Sequence, residues 1–572
     1  MSLGSFDRSD NVAKLGGATY DVLVVGGGIT GAGVALDAAS RGLSVALVER
    51  DDFASGTSSK SSKLVHGGLR YLQNGDVRLV YEALHERQRL LHNAPHLVKV
   101  LPFLIPVFSG RDGLIPKQVA RALGSAMWMY DLTGGLRIGR VHRRLRRDAA
   151  LAHIPTLSDR LVWAYLYYDA QADDARLTLT VARTAALDFG ATVVNHASVV
   201  SFLKSGERVT GAVVDTGDRR VQVPARVVIN ATGVWADDIR ALDQGENPRT
   251  IRPAKGIHIT VPWDAVRNDI AAVVPVPKDR RSIFVVPWPG PDGTYGGPGS
   301  FTYIGTTDTD YDGEVDDPQC TPEDVAYLLD AMNRSLKVSL TEADVVGTWA
   351  GLRPLVRAEA NDGRTADLSR RHAVSPSPGG VITVTGGKLT TYREMAADAV
   401  DAAVGVLADS PTGHGDPLAG AIGRHQRRSH TGRLRLRGAD GYEEEAAIDL
   451  RLADRYGGEA RVVRAMVESD PSLGEPLVPG LPYLRAEAVY AARYEMATDL
   501  SDVLARRVRA TLLGQDATRA AADDVAALVG EELGWSPEER AAQAARLQES
   551  LDHERASAGL PVPAGSAALP HI

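Results

Sequence analysis

The first strong pattern along the chain is an apolar run that ends at a cluster of glycines. The apolar residues occupy Tyr20–Val25, and the cluster GGGITG follows at positions 26–31. Small apolar residues at helical spacing come next, and a second apolar run, Val45–Val48, ends at Glu49. This order predicts a strand, a tight turn, a helix and a second parallel strand, which together form one βαβ unit.

The glycines of this turn have three separate physical roles. Gly26 permits the tight turn, Gly28 lets the backbone approach a pyrophosphate, and Gly31 allows the helix to pack closely on the strand. The amide groups at the start of the helix then face the bound anion. Glu49 ends the second strand, where a carboxylate accepts hydrogen bonds from ribose hydroxyls and repels a 2′-phosphate. The unit therefore predicts a dinucleotide-binding site.

Further along, the pattern changes to short strands separated by turn residues. Alternating apolar residues between 191 and 223 predict a β-meander, which leads into an apolar strand at 227–233 that ends in small residues. A β-rich and proline-rich region covers about 251–307. Another apolar strand runs into a glycine-rich turn at 380–388, and a helical pattern follows it.

Strands of the dinucleotide-binding type thus occur in three separate segments, with β-rich insertions between them. Flavoproteins often return to the flavin late in the chain, whereas nicotinamide dehydrogenases usually keep a contiguous cofactor domain, so this layout favours FAD over NAD. Beyond about residue 411, Ala, Arg, Glu and Leu at helical spacing predict a separate domain. We therefore expect an α/β fold with a discontinuous Rossmann-like FAD-binding domain, a β-rich substrate-binding domain and a C-terminal all-helical domain.

The expected domain boundaries follow from these shifts in pattern. They are a flexible leader at 1–18, FAD-binding segments at about 19–100, 150–250 and 345–405, substrate-binding segments at about 100–150 and 250–345, a helical domain at 406–555, and a disordered tail at 556–572.

Composition and charge narrow the setting. The 572 residues are 44% hydrophobic and 24% charged, which is ordinary for a globular protein of two or three domains. A net charge of −8 argues against a nucleic-acid partner. The single cysteine, Cys320, excludes an internal disulfide and a cysteine-based metal cluster, so we expect a cytoplasmic protein without a metal site. No apolar run approaches the about 18–20 residues that span a bilayer, and the first residues lack a signal-peptide pattern.

Longer motifs accompany the glycine turn. They are TSSKSSKLVHGGLRYL at 57–72, RPAKGIH at 252–258, IGTTDTDY at 304–311, WAGLRPL at 349–355 and GGKLTTY at 386–392. In the helical region the chain reads ARYEM at 492–496 and DVLARR at 502–507. Together these motifs resemble the family of FAD-dependent, aerobic-type glycerol-3-phosphate dehydrogenases, in order and over about residues 20–515.

The resemblance implies oxidation of sn-glycerol 3-phosphate to dihydroxyacetone phosphate, with hydride transfer to flavin N5 and electrons passed on to a membrane quinone. The implied cofactor is FAD, and its implied binding residues are Gly26, Gly28, Gly31, Glu49, Thr57, Ser58, Ser59, Ser62, Gly233, Gly386, Gly387 and Lys388. The implied substrate-binding residues are Arg70, Tyr71, Tyr311, Arg353, Arg370 and Lys388. The implied catalytic residues are His66, Arg70, His258, Arg353 and Lys388.

These residue types suit the implied chemistry. Arginine can bond two phosphate oxygens at once, and Arg353 lies in an apolar stretch, where an unpaired arginine is rare. Lys388 follows two glycines and precedes a helix, so it suits negative charge on the reduced flavin or on the substrate phosphate. Histidine is the natural base for the hydroxyl proton because its pKa lies near working pH, and both His66 and His258 are candidates.

A basic segment predicts where the protein meets its electron acceptor. Around the apolar residues 127–130 the segment has two acids, Asp112 and Asp131, and nine basic residues: Arg111, Lys117, Arg121, Arg137, Arg140, Arg143, Arg144, Arg146 and Arg147. Basic side chains beside aromatic ones suit an anionic membrane surface, so we expect a peripheral protein on the inner face of the membrane. A solvated basic face at a loop or a dimer contact is the alternative. A homodimer is the expected assembly.

Other functions fit parts of the pattern. An oxidase of the same fold passes electrons to oxygen and makes hydrogen peroxide, but such relatives typically carry an insertion that is not evident here. A related flavoprotein that oxidises an amino acid is a second alternative, for which the cationic residues are too many. Oxidation of another small anionic substrate by a related flavoprotein also remains an alternative. A non-enzymatic, glycerol-phosphate-binding regulator is a fourth, and the intact glycines and Glu49 argue against it.

Overall fold

A computed structural model describes residues 6–68, 77–109, 124, 127–131, 139–276, 282–356, 372–409 and 426–561. The strands in these residues are β1 (Tyr20–Val25), β2 (Val45–Val48), β3 (Leu64–Val65), β4 (Val98–Phe108), β5 (Arg143–Arg146), β6 (Leu161–Ala172), β7 (Thr192–Val194), β8 (Ser198–Ser205), β9 (Arg208–Asp215), β10 (Arg220–Asn230), β11 (Ile251–Pro262), β12 (Ala271–Pro275), β13 (Ser282–Trp288), β14 (Phe301–Gly305), β15 (Thr309–Asp310), β16 (Gly347–Val356), β17 (Ala373–Pro376) and β18 (Ile382–Thr385).

The α-helices of the same residues are α1 (Arg8–Leu15), α2 (Ile29–Ser40), α3 (Val77–Asn93), α4 (Arg147–His153), α5 (Asp174–Leu187), α6 (Ala236–Gln244), α7 (Trp263–Val266), α8 (Pro322–Asn333), α9 (Tyr392–Asp409), α10 (Tyr442–Ala446), α11 (Leu450–Tyr456), α12 (Ala460–Ser469), α13 (Arg485–Tyr494), α14 (Ala510–Leu513), α15 (Gln515–Ala520), α16 (Ala522–Leu533) and α17 (Pro537–Ser557). A π-helical turn, Asp502–Arg507, precedes α14.

Distant segments of the chain build the first sheet. Its order is β17-β18-β10-β1-β2-β7, and β8 and β9 extend β10 as the predicted antiparallel meander. Strands β2, β1, β10 and β18 run parallel, so their carboxyl ends meet at one edge. Helices α2, α5 and α9 pack on one face, and the meander packs on the other, which is why β2 and the part of β1 after Asp21 are apolar. The predicted discontinuous Rossmann-like sheet is confirmed.

The second sheet has ten strands and is almost wholly antiparallel. Its order is β15-β11-β14-β13-β12-β4-β6-β3, with β16 beside β11 and β5 beside β6. In the pair of β11 and β16, His258 lies opposite Trp349, and Ala254 lies opposite Arg353. Since side chains alternate along a strand, His258 and Arg353 project from the same face of this sheet. Their meeting depends on the strand register and not on their separation along the chain.

Helices α10–α17 form the C-terminal helical domain that the sequence predicts. Helices α13, α14, α16 and α17 and the π-helical turn pack on the second sheet through one shared apolar core, in which Leu504 and Val525 join Phe103, Tyr303 and Trp349. Helices α11 and α12 form a separate apolar cluster with α13. Among the described residues, no helix combines the length and the hydropathy that crossing a membrane requires.

The two ends of the chain differ from the expectation of a flexible leader and a disordered tail. The leader contains helix α1, which Asp7 caps and which buries Val12 and Leu15 against the meander. Two buried apolar residues are too few to produce a recognisable period in the sequence. At the other end, α17 ends at Ser557 and the described chain continues to residue 561, inside the segment expected to be disordered.

Candidate active site

A cavity of about 550 Å³ opens at the carboxyl ends of β1, β10 and β18, the edge at which parallel sheets bind their ligands. Residues from both sheets line it. The predicted site residues among them are Gly26, Gly28, Glu49, Thr57, Ser58, Ser62, His66, Gly233, Arg353, Gly386, Gly387 and Lys388. One cavity thus unites residues that lie more than 300 positions apart in the sequence.

The glycine turn forms one wall of this cavity. Gly26 has φ +106°, and a Cβ atom there would lie 2.8 Å from the carbonyl oxygen of Ala231, so only glycine fits the turn between β1 and α2. Gly28 is the N-terminal cap of α2, and Ile29 N donates to Ser58 Oγ at 2.9 Å. The start of α2 therefore presents backbone amides at the cavity wall, which suits a pyrophosphate.

Glu49 occupies the position that the βαβ pattern assigns to the ribose. Its Oε2 accepts a hydrogen bond from Gly27 N at 2.5 Å, and its Oε1 accepts one from Asp51 N at 2.9 Å. Burial raises the pKa of Glu49, while these two amide hydrogen bonds oppose the shift. The two amides fix the carboxylate at the cavity wall and leave lone pairs for hydroxyl donors.

The serine-rich loop, which comprises residues 55–62, crosses from the first sheet to the second. Thr57 Oγ1 donates to Leu352 O at 2.6 Å, and Tyr303 hydroxyl donates to Ser62 O at 3.0 Å. A Cβ atom on Gly351 would lie 2.5 Å from Lys60 O, so the absence of a side chain in β16 lets the loop approach the sheet. The loop therefore reaches the candidate substrate residues on β11 and β16.

Arg353 lies at the end of the cavity that the second sheet forms. Its Nη2 donates to Thr306 Oγ1 at 3.1 Å and to Thr307 O at 3.3 Å, and its Nη1 lies 3.3 Å from Asp308 Oδ1. The side chain lines the cavity and remains 23% exposed. This arrangement suits the recognition of an anionic group.

His258 is buried directly behind the cavity wall. Its ring stacks on Trp349 with the ring centroids 4.7 Å apart, and its Nε2 is hydrogen-bonded to Ser62 Oγ at 2.9 Å. Burial holds the pKa of His258 well below its usual value, and the charges of Lys63 and Arg353 lower it further. His258 is therefore neutral at physiological pH, and Ser62 is its contact with the cavity.

His66 and Lys388 line the cavity from two segments of the chain that contact each other. His66 N donates to Thr390 Oγ1 at 3.1 Å, and Thr390 lies two residues after Lys388. The rings of His66 and Phe284 are arranged edge to face, with their centroids 6.0 Å apart. Lys388 follows Gly386 and Gly387, both of which have positive φ, and it precedes the short helix Leu389–Thr391. His66 and Lys388 thus both line the cavity.

Some predicted site residues lie elsewhere. Gly31 and Ser59 are behind the cavity wall, and Tyr311 is outside the cavity, where its hydroxyl donates to Glu314 O at 2.7 Å. Arg70, Tyr71 and Arg370 lie outside the described residues.

Three neighbours of His258 and Arg353 were not singled out by the sequence analysis. They are Lys63, Asp308 and Trp349, and all three fall inside the motifs quoted above. Their position in those motifs is the only indication in the sequence that they belong to the site, because each contacts a residue that is distant along the chain.

The residues present fit a dinucleotide: amides face the pyrophosphate position, a carboxylate lies at the ribose position, and a second sheet closes the far end. Comparison with known proteins identifies this dinucleotide as FAD. Residues 21–393 match the FAD-dependent oxidoreductase family, and residues 414–540 match the C-terminal domain of alpha-glycerophosphate oxidase.

Whole-length relatives agree with these matches. Glycerol-3-phosphate dehydrogenase 2 of Mycobacterium tuberculosis is 41% identical over 558 residues, which are 94% of this chain and 88% of the relative. The mitochondrial glycerol-3-phosphate dehydrogenase of Homo sapiens is 36% identical over 94% of this chain and 73% of its own length. The crystal structure of glycerol-3-phosphate dehydrogenase from Bacillus halodurans, complexed with FAD, superimposes with a TM-score of 0.72 at 29% identity and covers 95% of this chain and 97% of that one. The chain therefore belongs to the glycerol-3-phosphate dehydrogenase family and is an FAD-dependent oxidoreductase.

Proposed function

We propose that the chain oxidises the C2 hydroxyl of sn-glycerol 3-phosphate to give dihydroxyacetone phosphate, and that a membrane quinone takes the electrons from the flavin. The observation that carries this proposal is the convergence of Arg353, Lys388 and two histidines at one FAD cavity. Two cations suit a phosphate dianion, and a histidine suits an alcohol proton. The names of the relatives support the same substrate.

The chain's own residues position the substrate and move its proton. FAD supplies the two-electron acceptor for the hydride that leaves C2. Arg353 and Lys388 hold the phosphate, and the pair formed by Arg353 and Asp308 keeps the guanidinium in one orientation. The hydroxyl proton passes to His66 directly, or to His258 through Ser62 Oγ, which lines the cavity and is hydrogen-bonded to His258 Nε2. Since both histidines meet the cavity wall, the proposal leaves the choice between them to experiment.

Anaerobic titration with sn-glycerol 3-phosphate tests this function. We expect the absorption band of the bound flavin to bleach as two electrons leave the substrate. A ubiquinone or menaquinone analogue should then restore the band faster than air does. A band that stays oxidised would reject the substrate, and rapid restoration by air with stoichiometric peroxide would favour the oxidase alternative.

The described part of the basic segment supports a membrane-facing surface, which we define as Trp128, Met129, Arg143, Arg144 and Arg146. Trp128 is 61% exposed and Met129 is 44% exposed, and Arg144 lies over the ring of Trp163 at 4.3 Å. Among its acids, Asp131 is buried and accepts a hydrogen bond from His142 N, so its charge is withdrawn from this surface. Arg111, Lys117, Arg121 and Arg137 lie outside the described residues. We include peripheral binding to the cytoplasmic face, and a homodimer, in the proposal.

Binding to anionic vesicles tests the membrane-facing surface. Replacing Arg143, Arg144 and Arg146 with serine should weaken binding to phosphatidylglycerol vesicles on the order of 100-fold, at about 1 kcal/mol for each arginine. The control replaces three exposed arginines of the meander region, Arg208, Arg219 and Arg220, and should leave binding unchanged. Equal affinities of the two triple variants would contradict the assignment.

A further inference from the structure

Arginines of the C-terminal helical domain hold the serine-rich loop from outside the cavity. Arg509, which is fully buried, donates through Nη2 to Ser59 O and to Asp174 Oδ1, the latter at 3.2 Å. Among the described residues, those that line the FAD cavity all precede residue 396. The C-terminal domain therefore touches the loop and does not line the FAD cavity.

Asp174 connects Arg509 to the loop. Its Oδ2 accepts hydrogen bonds from Ser61 N at 3.0 Å and from Ser61 Oγ at 2.6 Å, and Ser61 lines the cavity. Its Oδ1 accepts from Lys63 Nζ at 2.9 Å. Asp174 is fully buried, so its charge is stabilised by these donors and not by water.

Lys63 extends this network toward the candidate base. Lys63 Nζ also donates to Ser59 O at 3.0 Å and lies 4.9 Å from the ring of Trp349, on which His258 stacks. Burial and the charge of Arg509 together lower the pKa of Lys63 to about 8, although the charge of Asp174 opposes the shift. The charge next to His258 therefore depends on a residue of the C-terminal domain.

A second attachment lies just before the loop, at Asp52. Arg507 bonds both carboxylate oxygens of Asp52, at 2.6 and 2.9 Å, and Arg506 Nε bonds Oδ2 at 2.6 Å. Asp52, His196 and Asp502 lie close enough together to suggest a cation site, but Arg506 and Arg507 already supply the positive charge there. The cluster is therefore an attachment between domains.

We propose that the C-terminal helical domain clamps the serine-rich loop, and that Arg509 is a positioning residue for FAD although it lies outside the cavity. The loop is rich in serine and contributes no apolar core of its own, so its conformation depends on these polar attachments. Removing one partner of a buried charge network leaves the others unsatisfied, which is strongly unfavourable. Without Arg509, Ser59 O keeps Lys63 Nζ as a donor but loses the guanidinium, and Asp174 loses a countercharge, so the loop presents Ser58 and Ser62 to the cofactor in a less fixed position.

FAD affinity and hydrogen exchange test the clamp on the full chain. In Arg509→Met, we expect the dissociation constant for FAD, measured by quenching of flavin fluorescence, to rise at least tenfold. Amide exchange in residues 52–63 of the apoprotein should accelerate by a similar factor. Arg509→Lys keeps the charge but lacks the planar fork that reaches two acceptors, so a smaller rise is expected.

The matched control is Arg183, a buried arginine in α5 that bonds Glu459 of the C-terminal domain at 2.7 Å but has no contact with the loop among the described residues. Arg183→Met and Arg183→Lys should leave FAD affinity within twofold of the parent value. Unchanged affinity and exchange in the Arg509 variants would overturn the clamp, and so would an equal loss in the Arg183 variants. If Arg509→Met does not fold, Arg509→Lys decides by the same two measurements. Neither measurement uses a substrate, so a failure of the proposed function leaves this test intact.

Discussion

Replacing Gly31 with alanine is expected to weaken FAD binding at least 100-fold, or about 2.7 kcal/mol, and to yield a colourless protein. A Cβ atom at Gly31 would lie 1.8 Å from the carbonyl oxygen of Gly26 and 3.0 Å from its carbonyl carbon. Both are backbone atoms of the turn, so relief requires α2 to move away from β1. That movement withdraws the amides at the start of α2 from the pyrophosphate position.

The control for this prediction is Gly405→Ala in α9. A Cβ atom at Gly405 meets no other atom within 4 Å, so alanine there should stabilise the helix by about 0.5–1 kcal/mol and leave FAD affinity unchanged. Absorbance of the purified variants and titration with FAD provide the measurement. If the Gly31→Ala protein retained as much FAD as the parent protein, the turn would have space for a Cβ atom, and the prediction would be wrong.

Replacing Arg353 with alanine is expected to lower kcat/KM for sn-glycerol 3-phosphate at least tenfold, mainly through a higher KM. A charge-assisted hydrogen bond contributes about 1.5–3 kcal/mol, and a phosphate that binds equally in the ground state and transition state affects KM more than kcat. The substitution also removes a cation beside Asp308, whose side chain is 6% exposed, and the smaller positive charge near this carboxylate further opposes phosphate binding. Steady-state kinetics with a quinone analogue provide the measurement.

Glycerol, which lacks the phosphate, is the matched control substrate for this prediction. If Arg353 acts on the phosphate, the small activity with glycerol should be the same in the parent protein and in Arg353→Ala. Arg353→Lys should recover part of the loss, because it restores the charge without the fork. An unchanged KM for sn-glycerol 3-phosphate in Arg353→Ala would remove Arg353 from the site.

The sequence alone was sufficient for the parts of the protein whose constraints are local. The turn at residues 26–31 and Glu49 belong to one short βαβ unit, so steric and hydrogen-bonding requirements appear there as a recognisable pattern. Each apolar strand that completes the sheet is recognisable in the sequence as a separate apolar run. The discontinuous fold was therefore predictable, but the order of the strands in the sheet was not. Helix α1 was missed because it has few apolar positions.

Tertiary structure decided which polar residues act together. Asp174 and Arg509 are 335 positions apart, and His258 meets Ser62 across 196 positions, so no local period relates the members of either pair. Tyr311 shows the opposite case, since its motif suggested the substrate site and its hydroxyl instead bonds a carbonyl three residues away. A sequence determines its strands and turns through short-range sterics and burial. The partners of a buried charge are determined only when the strand register and the domain packing bring distant residues to hydrogen-bonding distance.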